Sequence, residues 1–145
     1  MKTKQCNHLK MIITTMCLLF LFACGGAEDN SPEAVAINFM RATLNQDIEK
    51  IIPYFHSEIR TKIEKENKFA TFKKSDFAEK NGLDVNKDIK LSMTDCQKHN
   101  EFMHVRIKAE ITNTNINIPE KEREESFLII LKQEDEKWKV CAIMK

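Results

Sequence analysis

Glycine and proline are scarce in this chain, with three of each among 145 residues. The glycines are Gly25, Gly26 and Gly82, so no glycine-rich loop is present to cradle a phosphate. No combination of cysteine and histidine pairs stands at the spacing of a structural zinc site. A basic surplus is also missing. Lys and Arg number 23 against 22 Asp and Glu, which gives no electrostatic case for nucleic acid. No apolar run is long enough to span a bilayer as a helix. The chain carries a single tryptophan, Trp138, and a single tyrosine, Tyr54. Internal repeats and low-complexity tracts are absent too.

The amino terminus has a distinct character. Lys2, Lys4 and Lys10 precede a short apolar run from Met11 to Phe22, broken only by Thr14 and Thr15. That order of charge and hydrophobicity is the pattern of a secretory signal. The run ends at Ala23-Cys24, and Leu21-Phe22-Ala23-Cys24 resembles the lipobox of bacterial lipoproteins. The resemblance implies acylation of Cys24 and removal of residues 1–23. Cys17 follows bulky Met16 and Cys6 lies ahead of the apolar run, so neither fits. More than one acyl chain would hold the protein at a bilayer where one would not. Residues 24–30, polar and small, read as a tether, and 31–145 as one domain. The expected location is the bacterial cell envelope. The position after Cys24 is Gly25 rather than Asp, which favours the outer membrane if the source is Gram-negative.

Past the tether the hydrophobic period is helical. Ser31, Pro32 and Glu33 form a helix start, and Val35, Phe39 and Ala42 share a stripe flanked by Ile37, Met40 and Leu44. Asp47 caps a second helix carrying Ile48, Ile51, Ile52 and Phe55, with Pro53 as a kink or end. A third helix is predicted over residues 57–72, burying Ile59, Ile63 and Phe69, and a short helical turn closes at Gly82.

The period then changes to two. Ile89, Leu91 and Met93 alternate with Lys90, Ser92 and Thr94. Met103, Val105, Ile107, Ala109 and Ile111 alternate with His104, Arg106, Lys108 and Glu110. Both read as half-buried strands. Residues 125–133 are apolar on both faces, as in a central strand covered on each side or a strand at an interface. Trp138, Val140, Ala142 and Met144 fall on one face of a last strand, with Trp138 as its core anchor. The links at 97–100 and 133–137 read as hairpin turns. The fold class is α+β, with amino-terminal helices on one face of a four-stranded antiparallel sheet.

The stretches SPEAVAINFMRATLNQD and EDEKWKV resemble a family of uncharacterised bacterial lipoproteins. Their domains have the nuclear transport factor 2-like, or cystatin-like, cone, and some members carry a lumazine-binding label. The family often has glycine in the last turn where this chain has Glu136, which puts a positive-φ turn there in question. The fold hosts isomerases, dehydratases, ligand binders and assembly modules, so it assigns no reaction.

Candidate chemistry is thin. His104 alternates with Arg106 and Lys108 and reads as solvated, and His99 falls in a turn. Tyr54 and His56, two apart, do not share a helix face. No acid–base pair is brought together by the pattern, and nothing calls for a metal or cofactor. The charge runs at 121–126 and 132–137 read as solvated turns. Phe39, Phe55, Phe69, Phe72, Phe77 and Trp138 read as core, or as the lining of an apolar pocket. Cys96 and Cys141 could form a disulfide in an oxidising compartment, though they fall on the first and last strands, or lie as two small buried hydrophobes. The expectation is a non-catalytic lipoprotein domain, anchored to the bilayer by Cys24, that binds a small apolar ligand or an envelope protein and no nucleic acid. The alternative is an isomerase- or dehydratase-like enzyme of the same fold.

Overall fold

The computed structural model describes residues 29–66, 76–79 and 81–145. The proposed signal, Cys24 and most of the tether, and Phe69 and Phe72 with the end of the third predicted helix, lie outside the described residues.

Helix α1 spans Pro32–Asn45. The Ser31 hydroxyl accepts from the Ala34 N–H at 3.1 Å, and Pro32 occupies the first helical position, where its missing N–H costs nothing. The helix stops at Gln46, whose left-handed backbone turns its N–H back to the Ala42 and Thr43 carbonyls. Asp47 accepts from the Lys50 N–H and starts α2, Ile48–Ile51. Pro53 then tightens the chain into a 3-10 turn at Ile52–Tyr54. Ile48, expected on the buried stripe, is 37% exposed, because only one turn of α2 forms and Ile51 and Phe55 take the core positions. Helix α3 is Ser57–Lys65, with Ile59 and Ile63 half-buried. Short helices α4, Asp76–Glu79, and α5, Val85–Asp88, lead into the sheet. Gly82 sits at φ +63° between them, and the Leu83 N–H donates back to the Ala78 carbonyl.

Strands β1 (Ile89–His99), β2 (Phe102–Ile111), β3 (Glu124–Glu134) and β4 (Lys137–Met144) form one antiparallel sheet in sequence order. One face carries Ile89, Val105, Ile107, Ala109, Phe127, Ile129, Leu131 and Val140, all buried. Helix α1 crosses that face and touches all four strands. Phe39, fully buried, meets Phe55 and Tyr54 edge-on at 5.5 and 6.1 Å. Phe39 and Met40 from the helix and Ile107, Ile129, Leu131, Val105 and Val140 from the sheet fill the space between the layers. Among the described residues Phe39 and Phe55 are therefore members of this buried core.

Two bulges alter the expected faces. Thr94 is an extra residue between Met93, opposite Ile107, and Asp95, opposite Arg106. Beyond it Asp95, Gln97 and His99 face outward, and the strand runs on to His99 where a turn was expected. Cys141 is an extra residue between Val140, opposite Leu131, and Ala142, opposite Ile130. Trp138 and Val140 thus share the inner face, but Ala142 and Met144 are switched to the outer one and Ile143 turns in. The sequence alternation had put Ala142 and Met144 inside. The β3–β4 turn adopts positive φ at both central residues, Asp135 (49°) and Glu136 (63°), without glycine.

Candidate functional site

His56, 8% exposed, is a buried polar side chain among mostly apolar buried residues. After the 3-10 turn the chain runs along the free edge of β4. Phe55 makes a parallel bridge to Val140, and the His56 N–H donates to the Val140 carbonyl at 3.0 Å. His56 is also the N-cap of α3. Its Nδ1 accepts from the Glu58 N–H at 3.4 Å. An accepting Nδ1 puts the ring proton on Nε2, which lies 3.8 Å from Glu134 Oε1. That carboxylate accepts from the Ser57 N–H at 3.2 Å. Hydrogen bonding by Ser57 holds the Glu134 carboxyl below the usual carboxylate range, with the nearby charge of Lys139 adding to it.

The pairing of a buried histidine with a carboxylate is what the sequence pattern did not show. It joins residues 78 positions apart, across the edge of the sheet. Its geometry is nonetheless that of a cap. One ring nitrogen is spent on the helix terminus and the other carries the proton, so no lone pair is left for a general base. The 3.8 Å separation is longer than a hydrogen bond.

Close by, a cleft of about 760 Å³ opens between Asn30, Val35, Asn38, Tyr54, Lys137 and Trp138. His56 does not line it. Trp138 is half-buried, one side on the core and one in this cleft, so it is less than the full core anchor its strand position implied. The Lys139 ammonium donates to the Pro53 carbonyl at 2.6 Å and the Lys50 ammonium pairs with Asp47 at 2.6 Å, so two of the cleft's cations hold its own walls.

The remaining sequence candidates are dispersed. Cys96 and Cys141 are free thiols on β1 and β4, the two edges of the sheet. Three strand spacings of about 4.8 Å separate those edges, beyond the reach of a disulfide. Burial pushes both thiols up, which keeps them protonated and poor nucleophiles. His104 is half-buried rather than fully solvated, and its ring lies 4.5 Å from that of His99.

The run at 121–126 is not simply a solvated turn. The Arg123 guanidinium is half-buried and donates to the carbonyls of Asn113, Ile116 and Ile118, which folds the long β2–β3 link. Glu125 lies opposite Ala109 on the inner face. One of its oxygens pairs with Lys145 and the other is buried with no partner among the described residues. Among the described residues no three of His, Cys, Asp and Glu converge as a metal site.

The open face of the sheet is the second feature. Leu128 and Ile130 on β3 stand outward and half-buried, opposite Met144 and Ala142. Met144 is 46% exposed. Arg106 and His104 on β2 and Lys132 at the end of β3 border them. The double-sided apolar character of β3 was the sequence signal for this face, and the Cys141 bulge completes it.

The family model of a domain of unknown function, DUF4878, matches residues 22–141. Among solved structures, a Campylobacter jejuni protein described provisionally as an NTF2-like transpeptidase aligns with a TM-score of 0.51. The alignment covers 76% of this chain and 96% of that one at 19% identity. At that identity the likeness carries the nuclear transport factor 2-like α+β cone and no activity. A comparison with curated proteins found no match.

Proposed function

This chain belongs to the DUF4878 family of domains of unknown function, and we propose that it is a lipid-anchored protein of the bacterial cell envelope whose domain binds a partner protein and catalyses no reaction. The observation that carries the partner is the outer sheet face. Leu128, Ile130, Ala142 and Met144 form one apolar strip there, bordered by polar and charged side chains. Apolar strips with charged borders are typical of protein-binding surfaces. A small apolar ligand, or the lumazine suggested by the label on similar lipoproteins, needs an apolar concave pocket; the interior is occupied by Phe39, Met40 and Leu131, and the cleft beside Trp138 is lined mostly by polar and charged side chains. The anchor rests on the signal pattern and Ala23-Cys24.

Two experiments test this reading. Cells expressing the wild type or Cys24→Ala are fed an acyl label, and only the wild type is expected to take it up; equal labelling removes the anchor. A photoreactive residue is placed in living cells at Ile130, at Met144 and at the control position Lys98. Discrete protein adducts are expected at Ile130 and Met144 alone. Adducts no stronger than those at Lys98 would remove the binding face.

The enzyme reading has one observation in its favour, the buried His56 beside Glu134. It requires His56 to leave its capping role, and His56→Asn would then abolish activity on any substrate found for the protein.

A further inference from the structure

At the opposite end of the sheet from its carboxyl terminus, the β1–β2 hairpin brings two imidazoles together. Register places Gln97 opposite His104 and His99 opposite Phe102, so His99 and His104 are diagonal neighbours on the outer face. Their ring centres are 4.5 Å apart and the planes are inclined by 39°. His99 is exposed and His104 half-buried. Neither ring has a hydrogen-bond partner among the described residues. Buried histidines that hold structure behave differently, as the capping nitrogen of His56 shows.

Two adjacent imidazoles with unengaged nitrogens are the elementary donor set for a borderline transition-metal cation. In tetrahedral or square-planar coordination, cis nitrogens at about 2.0–2.1 Å from the metal lie about 3 Å from each other. Ring centres 4.5 Å apart allow that separation after a small rotation of the exposed His99. We propose that His99 and His104 form a surface site for a divalent transition-metal ion, with Cu²⁺ held more tightly than Ni²⁺ or Zn²⁺. Each nitrogen lone pair replaces one water of the hydrated ion, and no electron is transferred. No third histidine, cysteine or carboxylate converges on the pair among the described residues. The other coordination positions stay with water or with a small ligand, which makes the site open. The two nitrogens come from adjacent strands, so the metal also clips the hairpin end.

The test uses the full-length chain without an affinity tag, purified in detergent and titrated with Cu²⁺ and then Zn²⁺ in a weakly coordinating buffer. One equivalent of Cu²⁺ is expected to give an electron paramagnetic resonance spectrum with hyperfine structure from two equatorial nitrogens. His99→Asn and His104→Asn should each weaken binding roughly tenfold or more, and the double variant should fall to background. His56→Asn should leave binding unchanged. Circular dichroism of each variant reports the fold, and both changed side chains lie on the solvent side of the sheet. Equal affinity in the double variant, or a one-nitrogen spectrum in the wild type, would overturn the site.

Discussion

The β3–β4 turn allows one conformational cost to be measured by relieving it. Glu134 pairs with Lys137, so Asp135 and Glu136 form a two-residue loop, and both have positive φ. This is the backbone of a mirror-image hairpin turn, which favours Asn or Asp followed by Gly. Asp135 suits its position, but Glu136 at φ 63° does not. An L side chain in this region costs about 1–2 kcal/mol. Glycine removes that cost and loses about 0.4–1 kcal/mol through the greater freedom of the unfolded chain. Glu136→Gly should therefore stabilise the protein by about 0.5–1 kcal/mol, or a few degrees in melting temperature. The neighbouring contacts are retained, because Asn30 Nδ2 reaches the main-chain carbonyl of Glu136 at 2.9 Å. Glu136→Ala removes the carboxylate and keeps the strain, so it should change stability little. The converse substitution is Gly82→Ala. A β-carbon there meets no atom within 4 Å among the described residues, so its effect on stability at φ +63° measures conformational strain against the reduced freedom of the unfolded chain, free of any clash. The assay is urea unfolding of the full-length chain, read at the midpoint with an unchanged slope. A Glu136→Gly midpoint below that of Glu136→Ala would refute the reasoning.

Three further outcomes are expected. His56→Ala should cost about 1–2 kcal/mol through loss of the α3 cap and His56→Asn should recover part of it, both measured by urea unfolding. Hydrogen bonding lowers the Glu134 carboxyl in the folded state. Its contribution is present above the ordinary carboxylate pKa and is lost as pH falls through the lowered folded value, so the wild-type midpoint should drop more steeply on acidification than that of Glu134→Gln. Arg123→Lys should speed amide exchange across residues 112–123, because a single ammonium cannot reproduce three guanidinium contacts to the Asn113, Ile116 and Ile118 carbonyls; unchanged exchange would remove its role as the clamp of that link.

The helices and strands were legible because their signals are local. Ser31-Pro32 announces a helix start, and Val105, Ile107, Ala109 and Ile111 announce a strand with one buried face. The two bulges were not legible, since an extra residue in a strand leaves the composition of that strand unchanged. Thr94 and Cys141 each shift the alternation by one, and the second of these moved Ala142 and Met144 from core to surface. The His56–Glu134 approach was hidden for a different reason. It depends on Pro53 ending α2 so that Phe55 and His56 can lie along β4, a tertiary event that periodicity does not record. The charge run around Arg123 misled because charge predicts solvation on average, whereas a guanidinium can satisfy carbonyls that a long link would leave unpaired.

The end of the tether is fastened, and that bears on how the proposed binding face would be presented. The Asn30 side chain donates through Nδ2 to the Glu136 carbonyl, and its Oδ1 accepts from the Trp138 N–H at 3.4 Å. The chain therefore joins the domain at the β3–β4 turn. Under the proposed lipidation, five residues separate Cys24 from Asn30, six Cα–Cα steps in all. They span at most about 20 Å when fully extended. The β3–β4 turn would then stay near the bilayer, and the sheet would be tethered by that end. Leu128 and Met144 sit toward the far end of β3 and β4 from this turn, where a partner could reach them without meeting the headgroups. Asn30→Ala removes the fastening and leaves the proposed acylation site intact. In the cell it should broaden the set of positions on β3 and β4 that cross-link to partners, while acyl labelling stays at the wild-type level. Cross-linking confined to Ile130 and Met144 in Asn30→Ala as in the wild type would mean that the face is oriented by its partner rather than by the anchor.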